Sequence, residues 1–225
     1  MLDVLDIQPA KPLVMSTRER VAAFDVDPQH CFTPLCPEEL PVPDGHTIVD
    51  ALNAQARYAR LRLGSKDAHP RGSIWEATPE APALTPLASK HADRYWPRHA
   101  VPGTFGFSFL EGLPEPSQYD YFVWKGVEAD MHPYGACFHD LENQLSTGVI
   151  EFLRAHQIQL VILGGLALEY CVKVTAEQLN EAGFKVVINL PATRALCPDA
   201  GRDALRELAQ AGVVCVTDLA QVIAS

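Results

Sequence analysis

One stretch constrains the fold of this chain more than any other. Residues Leu160–Asn189 read LVILGGLALEYCVKVTAEQLNEAGFKVVIN. The apolar run Leu160–Leu163 predicts a buried strand. Gly164 and Gly165 follow, then a short turn that delivers Cys171. Apolar residues recur at helical spacing from Val172 to Glu181, and Gly183 stands where a helix C-terminal glycine belongs. A second buried strand, Phe184–Ile188, comes at once. Strand, turn, helix and strand in that order are the building block of a parallel sheet, so the fold class is α/β.

The turn matters chemically. It sets a thiol at the carboxyl end of a strand and near the start of a helix, where open α/β sheets bind ligands. The unpaired N–H groups and positive end of a helix dipole lower a thiolate pKa and stabilise an oxyanion. Two readings of Cys171 stay open on this stretch alone: a nucleophile, or a small buried apolar residue.

At 225 residues the chain suits one domain with a sizeable core. Residues 19–225 are expected to form that domain, in the architecture of a three-layer sandwich around a mostly parallel central sheet. Residues 1–18 precede it as an arm. A net charge of −10 argues against nucleic acid or an anionic membrane surface as partner. The six cysteines (31, 36, 137, 171, 197 and 215) show no paired or zinc-type spacing, which predicts free thiols and a cytoplasmic compartment. No apolar run approaches the length of a membrane span, and the N-terminus has no apolar core of a signal peptide.

Along the chain, Val21–Val26 reads as the first strand and ends in Asp27-Pro28-Gln29-His30-Cys31-Phe32. A helix is expected over Ile48–Arg60, capped by Asp44 or Thr47. A short strand over Arg62–Ser65 opens into Lys66-Asp67-Ala68-His69-Pro70. From there to Leu113 the chain is rich in Pro, Gly, Trp and His, and its aromatic residues argue for an ordered, functional loop. Tyr119–Trp124 reads as a strand ending in Lys125-Gly126, and Leu141–His156 as a helix. Pro191–Cys197 reads as a loop, Arg202–Ala211 as a helix, Val213–Val216 as a last strand and Leu219–Ala224 as a terminal helical turn.

Four pieces therefore sit just past strand ends: Asp27, the Asp67-x-His69 pair, Lys125 and Cys171. In a parallel sheet such ends share one edge, so residues far apart in sequence converge. A carboxylate can take the thiol proton, and an ammonium can hold the carboxylate ionised. Singly, Asp27 also fits a turn cap and Lys125 a solvated strand end. Asp67 and His69 face the same way in an extended segment. With His99 from Trp96-Pro97-Arg98-His99 they suit a divalent ion such as zinc, iron or manganese, although such residues are also common as hydrogen-bonded loop residues. The other six histidines (30, 46, 91, 132, 139 and 156) have no usable partner spacing.

These residues resemble the nicotinamidases, within the isochorismatase-like cysteine hydrolases, over about Val21–Ala195. Asp27-Pro28-Gln29-His30-Cys31-Phe32 is similar to the first-strand motif Asp-x-Gln-x-x-Phe. Asp67-Ala68-His69-Pro70 and Trp96-Pro97-Arg98-His99-Ala100-Val101 are similar to the two metal segments. Lys125-Gly126 matches the Lys-Gly strand end, and Gly165–Ala176 matches the nucleophile motif. Two positions depart from the pattern: Cys31 and Glu169 stand where aspartate is usual. The loop from Arg71 to Tyr95 has no clear counterpart, and Ser73 is its one candidate for a fourth metal ligand.

The resemblance implies a catalytic triad of Asp27, Lys125 and Cys171, and a metal held by Asp67, His69 and His99. It implies an oxyanion hole from the N–H groups of Ala167 and Cys171, with a cis peptide at Leu166–Ala167. Phe32 and Trp96 would sandwich a pyridine ring, and Tyr134 would help line the pocket. The implied cofactor is one divalent ion, zinc before iron or manganese. The implied activity is hydrolysis of nicotinamide to nicotinate and ammonia through a cysteine thioester, in NAD salvage. The implied partners are a small amide substrate and, as in many members, further copies of the chain. Two alternatives stay open: a related cysteine amidohydrolase acting on a ureido or carbamoyl substrate, and a ligand-binding relative without catalysis.

Overall fold

The structure is a computed structural model, and it describes residues 17–221. The expected arm over residues 1–18 thus lies almost wholly outside the described residues. So does the end of the helical turn expected over Leu219–Ala224, of which Leu219–Gln221 is seen as one 3-10 turn.

Among the described residues six strands pair in parallel throughout: β1 (Val21–Val26), β2 (Leu61–Asp67), β3 (Tyr121–Lys125), β4 (Leu160–Leu166), β5 (Lys185–Arg194) and β6 (Val214–Val216). Their order across the sheet is β3-β2-β1-β4-β5-β6. Chain order runs outward in opposite directions from the β1–β4 pair. The carboxyl ends there part to leave a crevice.

Both faces of the sheet are covered, as the near-continuous apolar strands require. Alternate residues of β1 point to opposite faces. Ala22, Phe24 and Val26 pack with α2 (Val149–Ala155), α3 (Lys173–Glu181) and α4 (Pro198–Gln210) through Leu153, Leu179 and Leu208. On the other face, Leu52 of α1 (Val49–Ala56) packs on Leu166 and Ala192. Fully burying one such leucine stabilises the fold by roughly 1.5–3 kcal/mol. This is the expected three-layer α/β sandwich. All six cysteines are unpaired, and among the described residues no helix is long and apolar enough to cross a membrane.

The structure corrects several boundaries, each for a local reason. The helix expected over Leu141–His156 begins only at Val149. Asp140 accepts hydrogen bonds from the N–H groups of Gln144 and Leu145, at 2.9 and 2.7 Å, and so holds that segment in a turn instead. The helix expected over Ile48–Arg60 starts with a 3-10 turn, Gly45–Ile48, and is capped by neither side chain. The Thr47 hydroxyl donates back to the Asp44 carbonyl at 2.7 Å. Pro191–Arg194, expected as loop, continues β5. Proline is tolerated because the β4–β5 register breaks there: Leu163 faces Ile188, but Gly165 faces Thr193.

Candidate active site

The carboxyl edge of the sheet gathers four chemical groups. Asp27 follows β1 directly, with a positive φ of 46°. Asp67 is the last residue of β2 and Lys125 the last of β3. After β4, a cis peptide links Leu166 to Ala167, and a single π-helical turn, Leu168–Val172, carries Cys171 into α3.

Lys125 is the hub. Its Nζ lies 2.9 Å from Asp27 Oδ2, is paired with Asp67 Oδ1, and donates to Cys171 Sγ at 3.6 Å. Ser65 Oγ donates to Asp27 Oδ1 at 2.7 Å. Gln29 clamps the main chain of Asp67 from both sides: its Nε2 donates to the Asp67 carbonyl (2.9 Å) and its Oε1 accepts from the Asp67 N–H (2.8 Å). That clamp is the physical content of the Asp-x-Gln pattern, because it registers the end of β2 against the first loop.

All these groups are buried, and burial sets their protonation. Desolvation pushes Asp27 up to about 6, against the pull of Lys125 and with a further push from Asp67. Burial also opposes the charge on Asp67, but Lys125 outweighs it and holds that carboxyl well below its usual range. Lys125 stays ammonium: burial disfavours its charge, and the two carboxylates more than restore it. Cys171 departs from expectation. Burial, Asp27 and Asp67 push its thiol up, and Lys125 only partly opposes them. At rest Cys171 is therefore a thiol beside a carboxylate, not a preformed thiolate.

Beside this cluster His69, His99 and His132 form a second one, with one ligating atom of each within 4.8 Å of the others. The His69 Nδ1 donates to the Gly126 carbonyl at 3.0 Å and the His99 Nδ1 to the Pro97 carbonyl at 2.7 Å. Both rings are thereby anchored through Nδ1, which leaves Nε2 as the nitrogen available to a metal. His69 Nε2 is buried without a partner. Asp67 stands between the clusters, its Oδ1 3.6 Å from His69 Nε2. Burial and neighbouring imidazoles push His99 down to about 3 and His132 well below its usual range, so both rings are neutral. Neutral imidazoles beside ionised Asp67 fit a divalent cation, which would satisfy the orphaned nitrogens.

Gly126 makes this packing possible. Its φ is +67°, and a Cβ there would overlap the His69 ring. Gly126→Ala is expected to destabilise the fold by about 1–3 kcal/mol, as for a non-glycine residue in a left-handed conformation. It should also cut divalent-metal retention at least about tenfold by displacing His69. Thermal melts and elemental analysis of the purified variant check both.

Over the two clusters lies a cleft lined mostly by apolar and aromatic side chains, the usual character of small-ligand sites. Phe32, Trp96, Tyr134 and Tyr170 form aromatic walls, and Asp67, His99, Ala167 and Cys171 form its floor. Trp96 Nε1 donates to the Tyr134 hydroxyl (3.2 Å), which donates to Asp93 (2.5 Å). The structure thus brings together every residue that the sequence nominated. Ser73 is the exception among the weaker candidates: its hydroxyl turns to the Pro70 carbonyl. Glu169 faces away from the thiol and accepts from the N–H groups of Leu196 and Cys197, anchoring the loop that carries Leu196 into the cleft.

The sequence missed His132 and Tyr170. Tyr170 adjoins Cys171 and meets Trp96 edge to face, 5.0 Å between ring centres. The one signal for His132 was its place in the loop leaving the carboxyl end of β3.

Comparison with known proteins agrees with this geometry. Residues 26–220 match the isochorismatase domain family. Nicotinamidase of Saccharomyces cerevisiae is 35% identical over 106 residues, 46% of this chain and 49% of that protein, so the match spans about half the length of that relative. A structure from L. infantum in complex with nicotinate aligns with a TM-score of 0.79 and 26% identity, over 95% of this chain and 100% of that one. Pyrazinamidase of Pyrococcus horikoshii in complex with zinc aligns with a TM-score of 0.71 and 28% identity, over 88% and 99%. With a family match across nearly the whole described chain, on a sheet whose edge carries the thiol, carboxylates and ammonium together, the chain belongs to the isochorismatase family.

Proposed function

We propose that this protein hydrolyses nicotinamide to nicotinate and ammonia, with Cys171 as nucleophile, Asp27 as general acid–base and Lys125 as the cation that holds Asp27 ionised. The observation that carries this is the buried Asp27–Lys125–Cys171 cluster opening into an aromatic cleft beside neutral imidazoles. The slot suits a flat heteroaromatic ring, and the relatives that act on nicotinamide or hold nicotinate support the choice of substrate.

In the first half-reaction Cys171 Sγ attacks the amide carbonyl carbon as its proton passes to Asp27. Asp27 returns that proton to the leaving nitrogen, the C–N bond breaks, ammonia departs and a nicotinoyl thioester remains. In the second half, Asp27 takes a proton from water, the water oxygen attacks the thioester, the C–S bond breaks and the thiol is restored. The N–H groups of Ala167 and Cys171 serve the oxyanion in both halves; one such donor is typically worth about 3–4 kcal/mol of barrier. Phe32 and Trp96 hold the ring, and Tyr134 braces Trp96. Asp67, His69 and His99 hold the metal, with zinc assigned by likeness to the zinc-complexed relative. When bound, it supplies a Lewis acid that orients the pyridine nitrogen. The same proposal places residues 19–225 in one hydrolase domain and the reaction in the cytoplasm, within NAD salvage.

Two measurements test this. Purified protein supplied with zinc should release equal amounts of ammonia and nicotinate from nicotinamide, and thorough chelation should abolish release. Absence of nicotinate from the metal-loaded protein would overturn the assignment. The pH profile follows from Asp27, raised to about 6. Below that pH the carboxyl is protonated and cannot accept the thiol proton, so kcat/KM should fall as pH falls through about 6. A profile flat across that range contradicts Asp27 as the base.

A further inference from the structure

We propose that His132 is a ligand of the metal, making the protein donor set three imidazoles with Asp67 rather than two. This rests on the metal site assigned above, to which it adds a residue. His132 is 3% exposed, and neither of its ring nitrogens has a hydrogen-bond partner. An imidazole buried with both nitrogens unmet is rare unless something else satisfies one of them. Its ligating atom falls within the 4.8 Å cluster of His69 and His99, so the missing partner and the metal coincide in space.

The main chain puts the ring there. Pro133 holds His132 extended, and the His132 N–H donates to the His91 carbonyl at 2.8 Å. The ring is then stacked between two others. It lies 4.9 Å from His69 at an interplanar angle of 17°, and 5.6 Å from Trp96 at 12°. Trp75 closes the edge at 4.6 Å, and its Nε1 donates to the carbonyl of Met131, directly before His132. A ring gripped on three sides is preorganised to ligate. An imidazole-rich set favours borderline ions such as zinc or iron over magnesium or calcium.

The test is X-ray absorption on the zinc-loaded protein, with zinc affinity measured by chelator competition and no substrate present. His132→Phe keeps an aromatic ring in the stack while removing both nitrogens, and His132→Ala removes the ring. The expected result is three imidazole neighbours of zinc in the native protein and two in His132→Phe. Affinity should fall by more than the roughly 10–100-fold that follows loss of an outer-shell partner. Two imidazoles in the native protein, or an unchanged affinity in His132→Phe, overturns the proposal. Nicotinamide turnover is read separately. Three imidazoles on zinc without turnover would sink the proposed reaction and sustain this ligand, whereas turnover with two imidazoles would do the reverse.

Discussion

Cys171→Ala is expected to lower kcat for nicotinamide by at least about 10⁴-fold, while the protein stays folded and keeps its metal. The effect is large because every bond-making step passes through Sγ. The cleft and imidazoles would still bind substrate, but no second group stands in the nucleophile's place: Cys31 is buried and faces another cluster, and Cys137 packs within the core of the sheet's helical face. Burial holds the thiols of both well above their ordinary range. The change of volume is small, and the Cys171 side chain makes its polar contacts with Lys125 and Asp27 of the same cluster, while its main-chain carbonyl accepts from Thr175 Oγ1 at 2.6 Å whatever the side chain. Steady-state kinetics, a thermal melt and metal analysis on one preparation separate loss of chemistry from loss of fold.

Lys125→Met is expected to be the most damaging single substitution in the site for stability. It would leave Asp27 and Asp67 buried without their shared cation. Breaking a buried ion pair by removing one partner costs about 3–5 kcal/mol, because the remaining charge has lost both water and its counterion. The variant should answer by protonating Asp27, which disables the base, so turnover falls as well. Lys66 gives a matched control. It is also buried, but it lies over the rings of Phe107 and Phe109, at 4.4 and 4.8 Å from their centres. Lys66→Met removes the two cation–π contacts and the attraction of Glu115, with no paired buried carboxylate left behind, and should cost no more than about 2 kcal/mol. Denaturant unfolding of both variants at neutral pH checks the contrast. Equal losses would mean that the Lys125 ion pairs are not what holds this edge together.

The catalytic edge was legible in the sequence because strand ends are. Val21–Val26 and Leu160–Leu163 announce buried parallel strands, and the groups that follow them, Asp27 at once and Cys171 after the Gly164-Gly165 pair and a short turn, are carried to the carboxyl edge. Asp27, Lys125 and Cys171 followed from that rule before any contact was known. The two-residue step from Asp67 to His69 worked likewise, since an extended segment turns both toward one side. What failed was information carried by loops. His132 reaches the cleft because its segment is pinned to the long loop, its N–H donating to the His91 carbonyl. Nothing in local periodicity encodes such a contact. The false start of α2 has a related cause: residues 141–148 have acceptable helix composition, but the Asp140 carboxylate captures their N–H groups.

Protonation was the other blind spot. The sequence suggested a thiol acidified by a helix end and an ammonium. The structure buries that thiol beside two carboxylates, and desolvation wins. In the proposed mechanism Asp27 therefore takes the proton during attack, and its raised pKa of about 6 is expected to show in the pH profile.

The most direct test of the covalent route is rapid acid quench of the metal-loaded protein turning over nicotinamide, followed by intact-mass and peptide analysis. The expected result is a nicotinoyl adduct on Cys171 that appears before steady state, decays as substrate is exhausted, and is absent from Cys171→Ala. Turnover that persists in Cys171→Ala, or an adduct carried by any other residue, would contradict the thioester and with it the role assigned to the whole carboxyl edge.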